Sequence, residues 1–200
     1  MLSVFDKGPS APCPAPFNLA AHVLAPAYRQ PEKTALEIIG PNSTEHWSYG
    51  QIQNAVLGTG TGLLRAGLQP GDRVLMRLGN TVDFPVAFLG AIAAGLVPIP
   101  TSAQLTETET AKIIHDIAPQ AVLRDPAVDS PAHAGEISLQ SLRAFYGLQP
   151  CAYSMGDPDR LAYAVFTSGT SGRPRRRPSR RRRAATHDRA ARRPSCLPAG

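Results

Sequence analysis

Apolar positions along this chain recur in two periods, and the periods alternate. From Phe17 to Arg29, Leu19, Val23, Leu24 and Tyr28 fall at helical spacing behind Asn18, a capping residue, and Pro31 closes the segment. Thr34–Ile39 and Thr44–Trp47 read as two strands joined through Gly40-Pro41-Asn42, so a hairpin is expected. Ser48 then opens a helix carrying Ile52, Val56, Leu57, Leu63 and Leu64, with Gly67 placed to end it. Pro70-Gly71-Asp72 is a tight turn before a strand over Arg73–Leu78. Asn80 or Thr81 caps the next helix, which bears Val82, Val86, Leu89, Ile92 and Ala93 and stops at Gly95. That helix is apolar nearly all round, which predicts burial.

The alternation continues. Leu96–Ile99 is a short buried strand. Thr106 and Glu109 have capping-box spacing and start a helix through Ile113, Ile114 and Ile117 that ends before Pro119. Ala121–Arg124 is a further strand. Residues 125–160 are rich in Pro, Asp and Ser, with one weak strand at Glu136–Leu139, and Leu161–Phe166 is again strand-like. Strands alternating with helices of 10–15 residues predict an α/β fold with a largely parallel sheet and flanking helices.

Composition changes this picture at the ends only. Hydrophobic residues make up 42% of the 200-residue chain and charged residues 18%, as in an ordinary globular domain. The net charge of +6 is unevenly divided. Residues 173–200 hold 11 Arg against one Asp, while the remainder holds 10 Lys plus Arg against 14 Asp plus Glu. The folded part is therefore mildly acidic, and the basic excess sits in an Arg/Pro/Ala-rich tail. Residues 1–16 read as an irregular lead-in, 17–175 as one domain, and 176–200 as a disordered tail. Arg, Pro, Ala and Gly share GC-rich codons, and the composition shifts abruptly near Arg175; a frameshift there is the expected origin of the tail. No apolar run is long enough to span a bilayer, and the first residues lack a signal-peptide pattern. Cys13, Cys151 and Cys196 are far apart without metal-like spacing, which fits a reducing, cytoplasmic setting.

Candidate chemistry concentrates at Thr167-Ser168-Gly169-Thr170-Ser171-Gly172-Arg173-Pro174-Arg175. Gly169 and Gly172 let successive backbone N–H groups converge on one point, and such a nest binds anions. Four hydroxyls add donors, and Arg173 and Arg175 add forked positive charge suited to phosphate. No GxxxxGK[ST] is present, so the loop is not of the Walker type.

In this order, after an apolar strand ending in Phe166, the segment resembles the phosphate loop of adenylate-forming enzymes, T-S-G-[ST]-T-G-x-P-K. Ser171 stands where Thr is usual and Arg175 where Lys is usual. Trp47-Ser48-Tyr49 resembles the family's helix entry, and Leu63 through Val74 its L-x-x-x-G-V-x-x-G-D-R-V segment. Asn80 matches its Asn, and Ala94 through Pro100 its A-G-x-V-x-V-P. The resemblance covers about residues 17–175 and is nearest to acyl- and aryl-CoA synthetases. It implies the partial N-terminal domain of that fold. It also implies ATP with magnesium, a carboxylic acid, and coenzyme A as co-substrate. Thr167, Ser168, Gly169, Thr170, Ser171, Gly172 and Arg175 inherit the role of holding the β- and γ-phosphates. The family's later motifs lie downstream of this loop, so the 200-residue chain alone is expected to be a truncated fragment without ligase turnover.

Two other readings stay open. One is a non-catalytic module that binds nucleotide phosphates. The other is a nucleic-acid binder working through Arg180–Arg183, although the tail has no aromatic to stack on bases. Gly58-Thr59-Gly60-Thr61-Gly62 has the composition of a dinucleotide loop but lies inside a helical pattern, where small residues serve close helix packing. His22, His46, His115, His133 and His187 form no metal-like cluster, and Asp157 and Asp159 fall in a polar loop.

Overall fold

In the computed structural model, residues 12–40, 42–167 and 175–178 are described. Residues 12–16 carry no regular element. Asn18 caps α1 (Leu19–Val23): its Oδ1 accepts from the N–H of Ala20 and of Ala21. The other end of its amide donates to the carbonyls of Ile92 and Ser154, both at 2.9 Å, so one buried side chain also docks the helix. The expected helix through Arg29 breaks after Val23 into a 3-10 turn, Ala25–Tyr28, because Pro26 has no N–H to continue the ladder. The hairpin forms as read: β1 (Thr34–Ile39) pairs antiparallel with β2 (Thr44–Ser48).

Ser48 accepts from the N–H of Gln51 while Gln51 accepts from the N–H of Ser48, a reciprocal capping box for α2 (Tyr49–Arg65). Gly67, at φ +94°, follows the helix end as expected. β3 (Arg73–Arg77), α3 (Asp83–Ala93), β4 (Val97–Pro100), α4 (Glu107–Ile117), β5 (Ala121–Arg124) and β6 (Glu136–Ser138) follow in order. The four strands form one parallel sheet, ordered β4-β3-β5-β6. β3 leads to β4 on one side and β4 returns to β5 on the other. Right-handed crossovers therefore put α3 and α4 on opposite faces. The fold class read from the sequence holds.

Side chains along the strands divide between those faces with period 2. Val74, Met76, Ala121 and Leu123 pack with Leu63 of α2, Ala87 and Ala91 of α3, and Leu142. Leu75, Ile99 and Val122 pack with Ile113 and Ile117 of α4. α3 has no exposed residue, as its sequence predicts. Its start differs: neither Asn80 nor Thr81 caps it, because the Thr81 hydroxyl donates instead to the Asp83 carboxylate at 2.8 Å. The polar stretch 125–160 also holds α5 (Leu139–Ala144), capped by Ser138, and a 3-10 turn at Phe145–Gly147. Finally β7 (Ala164–Thr167) pairs antiparallel with β8 (Arg175–Pro178), so that residues 176–178 of the expected tail lie in a strand.

Candidate functional site

The site begins with the anchoring of β7. Ala164 is buried with Leu75, Ile99, Ile113, Ile117 and Val122, and half-buried Phe166 packs on the same cluster. One residue out of step, Tyr163 meets the ring of Phe88 edge-on at 5.4 Å. Alternate positions thus grip different elements, as a strand requires. Upstream, Phe17 and Gly156 exchange backbone hydrogen bonds of 2.8 and 3.2 Å. Asp157 accepts from the N–H of Asp159 at 2.8 Å in a polar turn. The chain therefore arrives at the candidate loop from a fixed direction.

Thr167 is the last residue of β7, and Arg175 the first of β8. The two are register partners, so the ends of the Thr/Ser/Gly segment sit side by side. Ser168, Gly169, Thr170, Ser171 and Gly172, with Arg173 and Pro174, lie outside the described residues. The residue types themselves suit phosphate: hydroxyl and backbone donors with guanidinium charge, and no carboxylate to repel an anion.

Two buried polar clusters were not legible as such in the sequence. Asp83, 1% exposed, accepts from Arg143 Nη2 at 2.7 Å and Nε at 3.0 Å, from the Tyr146 hydroxyl at 2.7 Å, and from Thr81. Burial pushes its carboxyl upward, but those donors outweigh burial and hold it below the usual carboxylate range. Burial and the adjacent carboxylate both push the Tyr146 phenol up. On the opposite face Arg77, fully buried, bonds to the loops that follow β4 and β5. Burial lowers its pKa while the Asp129 charge raises it; a guanidinium keeps its proton there all the same.

The glycines of Gly58–Gly62 serve packing. A Cβ on Gly58 would stand 2.5 Å from the Phe145 carbonyl oxygen, and one on Gly62 would enter the Phe145 ring. A Cβ on Gly60 would meet Cys151 Sγ at 2.6 Å. The helix sits too close to its neighbours for a nucleotide to enter between them. His22, His46 and His115 are exposed; His133 accepts from the N–H of Gly135; His187 lies outside the described residues. Among the described residues no three His, Cys, Asp or Glu side chains are grouped to hold a metal. No described helix is long and apolar enough to cross a membrane.

The AMP-binding enzyme family matches residues 24–176, which takes in the α/β body and the Thr167–Arg175 segment. This chain belongs to that family. It is 32% identical over 149 residues to 4-hydroxybenzoate–CoA/benzoate–CoA ligase of Rhodopseudomonas palustris, covering 64% of this chain and 27% of that enzyme. It is 30% identical over 162 residues to phenyloxazoline synthase MbtB of a Mycobacterium species, covering 80% of this chain and 13% of that protein. The benzoate CoA ligase structure from Burkholderia xenovorans LB400 aligns at TM-score 0.64 with 23% identity, covering 75% of this chain and 32% of that one. That last likeness establishes the fold. The chain thus spans about a quarter of the length of the benzoate ligase it matches.

Proposed function

We propose that this chain is the front part of an ATP-dependent carboxylate–CoA ligase, and that residues 167–175 are its phosphate loop. The family match running through that segment carries the reading. In the reaction, a carboxylate oxygen attacks the α-phosphorus of ATP, and the bond to the β-phosphate oxygen breaks. Pyrophosphate leaves and an acyl-adenylate remains; the thiolate of coenzyme A then attacks its carbonyl carbon and AMP departs. The work proposed for Thr167, Ser168, Gly169, Thr170, Ser171 and Gly172 is to hold the β- and γ-phosphates and to stabilise charge on the leaving pyrophosphate. Arg175 would add positive charge where the family has Lys. Magnesium would ride on the phosphates, and no residue of this chain is assigned to it. A cytoplasmic setting suits these substrates.

The 200 residues alone are proposed to bind ATP but not to turn it over. Binding the phosphates does not by itself orient the α-phosphorus against a carboxylate. Calorimetric titration with ATP and with pyrophosphate tests the first half, and carboxylate-dependent ATP–pyrophosphate exchange tests the second. Failure to bind either ligand removes the phosphate-loop reading, and exchange activity removes the claim of inactivity. The arginine-rich composition after residue 175 is proposed to reflect a shifted reading frame. Resequencing that finds the frame intact, with no family-like sequence in the alternative frame, overturns this.

A further inference from the structure

Among the described residues Arg77 is the one buried cation, and nothing in its sequence neighbourhood requires it. It closes β3 and lies two residues beyond Leu75, so its side chain leaves the sheet on the face covered by α4 and β7. All five of its N–H donors are used. Nε donates to the Asp129 carbonyl at 3.1 Å, and Nη2 donates to the same oxygen and to the Leu105 carbonyl at 2.9 Å. Nη1 donates to Thr101 Oγ1 at 3.2 Å and to the Ser102 carbonyl. Thr101 in turn donates its hydroxyl to the Met76 carbonyl at 2.9 Å.

Every one of these acceptors is neutral. A buried cation taken out of water is ordinarily matched by a carboxylate within bonding distance, and an apolar side chain of similar volume usually serves stability as well or better. What Arg77 gains in place of an ion pair is order in backbone. It fixes two loops, 101–105 after β4 and the stretch at Asp129 after β5, at the carboxyl edge of the parallel sheet. That edge, where the strand order reverses between β3 and β5, is where open α/β sheets place their ligands. One of the tethered loops also reaches the core patch that anchors β7. Leu105 gives its carbonyl to Arg77 and packs its side chain on the cluster that contains Ala164, against which Phe166 also packs. Those are residues of β7, and β7 ends at Thr167.

We propose that Arg77 is a positioning residue for the phosphate loop: by pinning residues 101–105 it fixes β7, and through β7 the point at which the loop starts. This rests on the reading of residues 167–175 given above. It gives no contact between Arg77 and ATP; the effect passes through Leu105 and the core cluster it shares with Ala164 and Phe166 of β7.

The test titrates the full 200-residue chain with magnesium–ATP and with inorganic pyrophosphate, beside Arg77→Met, Arg77→Lys, Leu105→Ala and Leu142→Ala. Leu142 is equally buried but lies on the opposite face, so Leu142→Ala reports what general loosening does. Arg77→Met is expected to weaken both ligands by about tenfold or more. Arg77→Lys falls between, because three donors cannot serve Thr101, Ser102, Leu105 and Asp129 together. Leu105→Ala weakens binding less than Arg77→Met, and Leu142→Ala keeps wild-type affinity despite its lower Tm. A folded Arg77→Met with wild-type affinity overturns the proposal, as does a Leu142→Ala that loses as much. If Arg77→Met does not fold, unchanged affinity in Leu105→Ala overturns it. If the wild-type chain binds neither ligand, the phosphate-loop reading itself falls; if it binds and the variants do not differ from it, only the role of Arg77 falls.

Discussion

The two faces of the parallel sheet bury charge in opposite ways. On the α2/α3 face, Asp83 is closed within a compact set: Arg143, Tyr146 and Thr81 satisfy it, and α2 packs down around them through Gly58 and Gly62. On the α4/β7 face, Arg77 hydrogen-bonds only to neutral oxygens drawn from two loops, with the Asp129 charge acting on it from nearby. The first arrangement fastens helix to helix and has no further reach. The second arranges backbone at the sheet edge beside the strand that leads to Thr167. The difference separates what holds this domain together from what aims its candidate site.

The largest effect expected tests how rigid the α2/α3 face is. A Cβ at Gly58 would lie 2.5 Å from the Phe145 carbonyl oxygen and 2.8 Å from that of Tyr146, and backbone cannot rotate away as a side-chain tip can. Gly58→Ala should cost about 3 kcal/mol, the upper part of the range for overpacking, read from the shift in urea midpoint. A loss below about 1 kcal/mol would mean that the 3-10 turn slides on α2 and that this face is softer than its contacts imply.

Next is the asymmetry within the Asp83 pair. Arg143 is 56% exposed and its partner 1%, so removing either leaves a different problem behind. Arg143→Met strands a buried carboxylate and should cost about 2 kcal/mol, discounted from a fully buried pair because water reaches the guanidinium. Asp83→Asn frees a charge that can turn to solvent and should cost about 1 kcal/mol. The pH dependence has a definite sign. The folded carboxyl of Asp83 is held below its ordinary value, so its contribution is fully present above the ordinary carboxylate range. That contribution is lost as pH falls through the depressed folded value. Stability measured at neutral pH and then below the carboxylate range should therefore fall more for the wild type than for Asp83→Asn. Parallel curves would mean that the pair contributes nothing linked to protons.

How much of this is readable from the chain alone follows the reach of each interaction. Thr106 and Glu109 announce α4 because both halves of the capping box lie three residues apart, and the structure pairs them as expected. Gly58–Gly62 can be assigned to packing from helical period alone. The cap of α3 departs from expectation because Thr81 spends its hydroxyl on Asp83, whose other partners lie about sixty residues away at Arg143 and Tyr146. α5 escapes a reading by pattern since its six residues sit in a Pro/Asp/Ser-rich stretch that offers no sustained period. At the candidate site, the order of residues 167–175 is what carries the family resemblance. The convergence of carbonyls 102, 105 and 129 on Arg77 belongs to tertiary structure, and only an arginine interrupting an apolar strand hints at it.

A smaller effect probes the one imperfection of the α2/α3 face among its described side chains. Thr59 is fully buried, and its hydroxyl oxygen has no hydrogen-bond partner, while its methyl side presses on Gly90. Thr59→Val keeps the shape and removes the orphan polar group, so it should stabilise by about 1 kcal/mol. A destabilised Thr59→Val would show that the hydroxyl finds a partner in solution and that this face depends on polar contacts inside its helix packing as well as at Asp83.

The smallest effect lies on the other face, at the end of α4. Ala118 adopts φ 40° and ψ 66°, a left-handed conformation that costs a residue with a Cβ about 1 kcal/mol. Pro119 is the cause, because the residue before a proline is disfavoured from continuing the helix. The strained carbonyl is not idle: it accepts from Arg73 Nη2 at 3.2 Å, joining the end of α4 to the start of β3. Ala118→Gly relieves the strain, but it also loosens the unfolded chain by somewhat less than about 1 kcal/mol. The two terms oppose each other and leave a net gain of about 0.5 kcal/mol, visible as a small rise in Tm. Because Ala118 is remote from the loops held by Arg77, the gain should come with no change in ATP affinity. A change in affinity would mean that α4 as a whole, rather than the Arg77 tether, sets the position of β7, and the contrast between the two faces would have to be redrawn around that helix.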